Sequence, residues 1–311
     1  MAKRNKRENT GDGIDTSKSN INWYPGHMVK AINDIKSILK LIDIVVEVVD
    51  ARLPLSSCNP IIEELAQDKK KIIVLNKKDL ADEEETKKWI KYFESKDMMS
   101  IAVDSSEPQD IKKIVDAIVT QGKEAYKAKV EALSVDFRPI YRVLIAGIPN
   151  VGKSTIINKI AKRNAAEVSN KPGVTVRKQW IRVQDNIELL DTPGLLWPRL
   201  DNNNAGEKLA LTGNIKQEIL EIEGLACKGI EFLLTNDKYL NMFIDKYKLN
   251  DEDIENMDSY DILELVGRKR GCLMSGGHVD TEKAAKIFVD ELKAGKIGRI
   301  TLESIESEDV K

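Results

Sequence analysis

The chain has 311 residues, of which 41% are hydrophobic and 32% charged, a balance typical of a soluble globular protein with room for two domains. Its formal net charge of −2 gives no overall signal for nucleic-acid binding. No apolar run approaches the roughly 20 residues of a membrane span, and the basic start has no apolar block behind it. We therefore expect a cytoplasmic protein without a membrane partner.

Residues 1–20 are polar and rich in Gly, Asp, Ser and Asn, which predicts a disordered basic arm. A turn at residues 23–28 leads into a predicted helix that ends near Leu39. The alternation that follows is typical of an α/β fold, a parallel-rich sheet with helices on both faces. Strands are predicted at residues 44–49, 72–75, 101–103, 141–146 and 187–190, with helices near residues 61–66, 83–93 and 111–118.

Beyond about residue 204 the apolar residues recur at helical spacing, and no long β-branched run appears. Asp280 is the predicted N-cap of the last helix, and Gly295 is its predicted C-terminal stop. We therefore predict two domains after the arm: an α/β domain at residues 21–204 and a small all-helical domain at residues 205–311.

Residues 147–155 read Gly-Ile-Pro-Asn-Val-Gly-Lys-Ser-Thr and follow a predicted strand, the context in which G-x-x-x-x-G-K-[ST] forms a phosphate-binding loop. Glycines let backbone N–H groups approach the phosphates, and the following helix adds the positive end of its dipole. We expect Lys153 to bridge the β- and γ-phosphates and Ser154 to join the Mg²⁺ shell. The other predicted nucleotide contacts of this loop are Asn150, Val151, Gly152 and Thr155.

Two further motifs complete the predicted phosphate site. Asp191 ends a predicted strand and starts Asp-Thr-Pro-Gly, so it matches a Walker-B carboxylate that holds a Mg²⁺-bound water. Gly194 in the same motif is expected to donate its N–H to the γ-phosphate. Thr175, in Pro-Gly-Val-Thr, stands where a switch loop that closes over Mg²⁺ belongs.

The sequence Asn-Lys-Lys-Asp at residues 76–79 predicts guanine as the bound base. A carboxylate at Asp79 accepts from the N1–H and the 2-amino group of guanine, neither of which adenine offers. Asn76 and Lys77 complete the motif. The segment after the third strand is the candidate for closing over the base, with Asp104, Ser105 and Ser106 as its predicted contacts.

The motifs run in an unusual order, because the guanine motif precedes the phosphate-binding loop, whereas it follows that loop in ordinary GTPases. The predicted strands follow the same order, and permutation preserves a site when the domain ends lie close together. The sequence therefore predicts a circularly permuted Ras-like P-loop GTPase that binds GTP or GDP with Mg²⁺. In this order, Asp191 and the segment after it lead directly into the helical domain.

The chain resembles the ribosome biogenesis GTPase A (YlqF) family over residues 23–303. The resemblance rests on the permuted order and on the motifs Trp-Tyr-Pro-Gly-His-Met, Asp-Ala-Arg-x-Pro and Pro-Gly-Val-Thr. It implies a cytoplasmic GTPase that binds precursors of the large ribosomal subunit, contacts 23S rRNA and assists late incorporation of ribosomal proteins. It also implies hydrolysis that is slow alone and stimulated by the subunit. We expect the protein to act as a monomer.

Leu195 stands where Ras-like proteins have the glutamine that orients the attacking water, so slow intrinsic hydrolysis is expected. The resemblance offers His27 as a catalytic group, since the matching family histidine is regarded as catalytic and an imidazole can position water. The alternatives for His27 are a structural residue of the turn and an rRNA contact. Related GTPases with asparagine at the position of Asn150 bind K⁺, which implies a K⁺ site here.

Lysine and arginine clusters neutralise phosphates, although such clusters are also common on plain solvated surface. The predicted RNA contacts are the N-terminal arm, residues 268–270, Lys293, Lys296 and Arg299.

Two alternative functions stay open. One is a GTPase that acts on another partner, such as tRNA or a membrane-traffic complex, and the absence of a lipidation motif or membrane segment counts against membrane traffic. The other is an RNA-binding module with a non-catalytic nucleotide site, against which the presence of Lys153, Ser154 and Asp191 argues.

Overall fold

The structure, a computed structural model, describes residue 36 and residues 39–133, 139–165, 180–184, 186–191, 203–215, 221–254 and 256–305. The predicted arm, the turn at residues 23–28 and most of the helix predicted before Leu39 lie outside these residues. Within them, no helix is both long enough and apolar enough to cross a membrane.

One sheet contains β1 (Ile44–Asp50), β2 (Lys70–Asn76), β3 (Met99–Val103), β4 (Tyr141–Ala146), β5 (Trp180–Gln184) and β6 (Ile187–Asp191). Its order is β3-β2-β1-β4-β6-β5, with β5 antiparallel to β6 and the other neighbouring pairs parallel. This confirms the predicted parallel-rich sheet and the permuted strand order. β5 has no counterpart among the predicted strands, because this short edge strand begins at the exposed Trp180 and contains no buried apolar run.

The central strand β1 is buried at every position, because helices cover both faces of the sheet. Ile44, Val46 and Val48 share one core with the helices at residues 108–133 and 153–165. Val45 and Val49 lie on the other face, against the helices at residues 60–65 and 83–95. The third helix is 26 residues long and extends well beyond the predicted residues 111–118. In chain order the helices are α1 (Pro60–Leu65), α2 (Glu83–Ser95), α3 (Pro108–Leu133) and α4 (Lys153–Ala165).

The helical part comprises α5 (Asn203–Leu211), α6 (Ile222–Leu234), α7 (Asp237–Tyr247), α8 (Asp251–Ile254), α9 (Ser259–Lys269) and α10 (Thr281–Lys293). Its described residues form no strand beyond an isolated bridge between Leu273 and Val279, which confirms the helical prediction. Asp280 caps α10 by accepting from the Lys283 amide at 3.0 Å. Gly295 follows the end of the helix with a φ of +67°, as predicted for a C-terminal stop.

The chain beyond α10 returns to the sheet as the C-terminal strap (residues 297–305). The Ile300 amide donates to the Leu80 carbonyl at 3.0 Å, and the Leu302 amide donates to the Arg52 carbonyl at 2.9 Å. The indole N–H of the buried Trp89 donates to the Glu303 carbonyl at 3.0 Å. The C-terminal strap therefore fastens to the loops after β1 and β2 and to α2.

The Glu303 carboxylate lies buried in this contact. It accepts from the Leu55 amide at 2.7 Å and from the Ser56 amide at 3.0 and 3.2 Å. A carboxylate that accepts backbone N–H groups makes stronger hydrogen bonds than a neutral acceptor does. Glu303 therefore holds the loop after β1 in place.

Replacing Glu303 with alanine should lower the free energy of unfolding by about 2–3 kcal/mol, because two backbone amides lose a charged acceptor. Urea unfolding followed by circular dichroism measures the change. Glu264→Ala, at a partly exposed position on α9, is the matched control and should change stability by less than about 0.5 kcal/mol. A Glu303→Ala variant as stable as that control would contradict a stabilising role for the C-terminal strap.

Candidate nucleotide site

The carboxyl ends of the parallel strands meet at one edge of the sheet and carry the predicted site residues. Asp50 at the end of β1 pairs with Asn76 at the end of β2, which pairs in turn with Val103 at the end of β3. On the other side of β1, Ile145 of β4 pairs with Asp191 at the end of β6. The structure therefore brings the base motif on β2 and the phosphate motifs on β4 and β6 to the same edge of the sheet, on either side of β1, although they are far apart in sequence.

The phosphate-binding loop has a backbone that few residue types adopt readily. Its φ is +143° at Gly147, +58° at Asn150 and +101° at Gly152. A Cβ at Gly147 would lie 2.3 Å from the Val48 carbonyl oxygen, and one at Gly152 would lie 2.2 Å from the side chain of Asn76. Both glycines are required for this curve, and the curved loop leading into α4 fits a phosphate cradle.

Lys153 opens α4 and is buried, and its ammonium donates to the Ile148 carbonyl at 2.7 Å. The ammonium is therefore held over the loop, beside the N-terminus of α4. Its positive charge and the positive end of the helix dipole together favour an anion there. Ser154 and Thr155 follow on the first turn of α4 and are exposed. The Ser154 hydroxyl is the kind of oxygen ligand that Mg²⁺ accepts together with phosphate oxygens.

Asn76 links three loops around the site. Its Nδ2 donates to the Val151 carbonyl at 2.7 Å, and its Oδ1 accepts from the Ser105 amide at 3.1 Å. Since both ends of this buried amide are engaged, Asn76 holds the phosphate-binding loop against the loops that follow β2 and β3.

Asp79 is exposed at the same edge, on the loop after β2. Partial burial and the negative charge of Asp104 raise the pKa of Asp79. Asp104 accepts from the Ser106 amide at 2.7 Å and so shapes the loop after β3. Two loops with predicted base contacts therefore face each other closely enough for their carboxylates to interact.

Asp110 in the first turn of α3 orders the loop after β3, and the sequence analysis does not single it out. Its buried carboxylate accepts from the Asp104 amide at 2.8 Å and from the Lys78 ammonium at 2.5 Å. Burial alone would raise the pKa of Asp110, but these partners and Lys113 lower it to about 2. Asp110 therefore stays ionised and ties the loops after β2 and β3 together.

A buried charged cluster lies beside the base motif. The fully buried carboxylate of Asp50 accepts from the Arg52 guanidinium at 2.8 and 2.9 Å and from the Lys77 ammonium at 2.8 Å. Burial alone would raise the pKa of Asp50, but Arg52 and Lys77 outweigh it and hold the pKa well below its usual range. In sequence, Asp-Ala-Arg indicates only the family resemblance and not this cluster. The available signal was a charged pair, Asp50 and Arg52, at the end of a strand rich in β-branched residues.

The remaining predicted catalytic and metal-binding groups fall outside the described part of the chain. They are His27, Thr175, Gly194, Leu195 and the side chain of Asp191, whose backbone ends β6. Their roles stay predictions.

The predicted RNA contacts of the helical part are all exposed, but four of them also contact other residues. Arg268 lies 4.0 Å from Glu264, and Lys269 donates to the Lys248 carbonyl at 3.0 Å. Arg270 pairs with Glu291 of α10 and lies 5.2 Å from the centre of the Tyr247 ring. Arg299 donates to the carbonyl oxygens of Ala81 and Lys78, at 2.8 and 3.0 Å, and so fastens the C-terminal strap. The other two predicted cations of the helical part, Lys293 and Lys296, lie at and just after the C-terminal end of α10.

Known proteins match this chain over nearly its whole length. A family model described as 50S ribosome-binding GTPase matches residues 142–266. Ribosome biogenesis GTPase A of Bacillus cereus is 44% identical over 288 residues, which cover 92% of this chain and 94% of that protein. The Thermotoga maritima protein of the same name is 34% identical over 283 residues, which cover 91% of this chain and 94% of that protein.

Solved structures of YlqF also match this chain. The GDP-bound structure of TM YlqF is 31% identical and superimposes with a TM-score of 0.59, covering 88% of this chain and all of that one. The GNP-bound YlqF from T. maritima is also 31% identical, with a TM-score of 0.57 and a coverage of 88% of this chain and 98% of that one. Since the relatives match about nine-tenths of its length, the chain belongs to the ribosome biogenesis GTPase A (YlqF) family and is a GTP hydrolase.

Proposed function

We propose that this GTPase assists late assembly of the large ribosomal subunit in the cytoplasm, as a monomer that binds the precursor subunit and its 23S rRNA according to its nucleotide state. The observation that carries the proposal is the match to a family described as 50S ribosome-binding GTPase. That match begins in β4, spans the phosphate-binding loop and extends into α9 of the helical part. It therefore favours the large subunit over tRNA and covers the phosphate-binding part of the nucleotide site, while the base motif at residues 76–79 and the exposed cations at residues 268–296 lie outside it.

The site geometry supports the proposed nucleotide contacts. Asp79 recognises the base, with Asp104, Ser105 and Ser106 beside it on the loop after β3. The loop at residues 147–152 and Lys153 hold the phosphates, and Asn76 keeps these loops in register. When Mg²⁺ is bound, it offsets phosphate charge; the residues that would hold it are Ser154, Thr175 and Asp191.

The helical part supplies the RNA surface. Arg268 and Lys269 end α9, Lys293 ends α10, and Lys296 lies directly before the C-terminal strap. Their exposed cations sit at helix C-termini, where positive charge is favourable, and they are available to phosphates of 23S rRNA. Because the chain leads from Asp191 of β6 into α5, a change in nucleotide state has a direct covalent route to this surface.

Asp79→Asn tests base recognition. An asparagine offers one donor and one acceptor, which match the C2 carbonyl and the N1–H of xanthine but not the two donors of guanine. We expect the Kd for GDP to rise by about 100-fold or more and xanthosine diphosphate to bind better than GDP. Displacement of a fluorescent GDP analogue measures both. Unchanged GDP affinity would remove Asp79 from the base site.

A comparison of K⁺ and Na⁺ at equal ionic strength tests the proposed cation site. The Asn150 amide nitrogen donates to two backbone carbonyls, so its amide oxygen is the atom proposed for K⁺. GTP turnover should be on the order of tenfold faster in K⁺, because a cation between the phosphates stabilises developing negative charge. GDP affinity, measured in both salts, controls for effects on binding. Equal turnover in the two salts would exclude the K⁺ role.

Steady-state GTP hydrolysis with purified large subunits tests the proposed function itself. We expect stimulation of at least about tenfold, because Leu195 cannot orient the attacking water and the partner completes the site. Small subunits and naked RNA are the controls and should stimulate little. Tight GDP binding without any stimulation would retain the GTPase and refute the large subunit as its partner.

The same assay decides the role of His27. If its imidazole positions water, His27→Ala should lose most of the subunit-stimulated rate while GDP affinity stays unchanged. His278→Ala removes the other histidine of the chain, exposed between α9 and α10, and is the matched control. A stimulated rate equal to that of the control would make His27 a structural residue or an rRNA contact.

A further inference from the structure

The turn after α5 inserts into the buried cluster around Asp50. Asn214 in this turn is fully buried, and its Nδ2 donates to Asp50 Oδ2 at 3.3 Å and to Thr212 Oγ1 at 3.0 Å. Its Oδ1 accepts from the Lys77 ammonium at 3.4 Å. Every side-chain polar atom of Asn214 therefore bonds to a partner, and two of these partners belong to or support the base motif.

The same turn contacts the phosphate-binding loop. Asn150 has a left-handed backbone, and its Nδ2 donates to the carbonyl oxygens of Gly213 and Asn214 at 3.2 and 3.3 Å. These bonds fix the orientation of an exposed asparagine side chain that would otherwise sample several rotamers. Residues 212–214 thus lie between Lys77 on one side and Asn150 on the other.

A cation from the sheet keeps the turn in place. The Arg52 guanidinium, already paired with Asp50, donates to the Thr212 carbonyl at 2.9 Å and to the Lys293 carbonyl at 2.9 Å. Thr212 follows α5 and Lys293 ends α10, so one guanidinium holds the C-terminal ends of two helices. Carbonyls at helix C-termini carry partial negative charge, which makes them suitable partners for Arg52.

We propose that Asn214 is a positioning residue of the nucleotide site, supplied by the helical part. It shares the Asp50 acceptor with Lys77 and orients that lysine next to Asp79, while the carbonyls of its turn orient Asn150. The geometry of the guanine-nucleotide site is therefore complete only when the turn at residues 212–214 packs against Lys77 and Asn150. The inference rests on the nucleotide site proposed above and not on the identity of the ribosomal partner.

The test is the dissociation rate of a fluorescent GDP analogue from the full-length chain with Mg²⁺. Asn214→Ala removes one of the two acceptors of Lys77 and a donor to Asp50. We expect about tenfold faster dissociation, the scale associated with hydrogen bonds to charged groups. Differences in affinity among variants of one site fall mainly on the dissociation rate, which makes it the appropriate measurement.

Asn236→Ala is the matched control. Asn236 is exposed and caps α7 by accepting from the amides of Lys238 and Tyr239 at 3.0 and 3.3 Å. Both variants should melt at lower temperature than wild type, but Asn236→Ala should release GDP within about twofold of the wild-type rate. Equal dissociation rates for the two variants would overturn the inference, because Asn214 would then act on stability alone. A wild-type chain that fails to bind GDP would instead refute the nucleotide site.

Thr212→Val is a milder change than Asn214→Ala, because valine has nearly the same shape as threonine. It removes the hydroxyl that accepts from Asn214 Nδ2 while keeping the size of the side chain. We expect about threefold faster GDP release, between wild type and Asn214→Ala. If Asn214→Ala does not fold, this variant decides: a wild-type dissociation rate for Thr212→Val would overturn the inference.

Discussion

The fully buried carboxylate of Asp50 needs several polar partners, and these come from distant parts of the chain. An ionised carboxylate is tolerated away from water only when charged and hydrogen-bonding groups surround it. Its partners come from three stretches of chain: Arg52 from its own loop, Lys77 from the end of β2 and Asn214 from the helical part. Burial acts to raise the pKa of Asp50, but Arg52 and Lys77 hold it well below the usual range. The stability from this charge is therefore present above the unfolded pKa of ~3.9 and is lost only as the pH falls through the lower folded pKa.

The permuted chain order places the elements that meet at the site far apart along the chain. The strands that carry base recognition come first, the strands that carry phosphate recognition come later, and the helical part follows the last of them. The loops that meet at the site are therefore joined through side chains. Asn76 joins the phosphate-binding loop to the loop after β3, Asp110 joins the loops after β2 and β3, and Arg52 joins β1 to the helical part. The C-terminal strap then returns across the loop after β1, where the Glu303 carboxylate accepts two backbone amides.

The sequence predicts the parts of this structure that depend on local pattern. β-Branched runs mark the buried strands, and the glycine spacing at residues 147–152 marks the loop whose φ values require glycine. The missed features depend on long-range contact or exposure. Asp50 and Asn214 are 164 positions apart, and no local pattern links a turn after α5 to a strand end. β5 is an edge strand without an apolar run, and Arg270 and Arg299 resemble surface cations in sequence although they hold other elements in place.

Linkage gives the contacts between the helical part and the site a consequence for regulation. Coupling between two binding events is reciprocal. If packing of the turn at residues 212–214 strengthens nucleotide binding, bound nucleotide stabilises that packing by the same free energy. The turn at residues 212–214 is held by the same guanidinium that holds the end of α10, and exposed cations lie at the ends of α9 and α10. Arg52 therefore connects the end of α10 to Asp50 and, through Asp50, to Lys77. This connection runs through side chains and not through the strands, because Arg52 pairs with Asp50 beside the base motif and also bonds to the helical part.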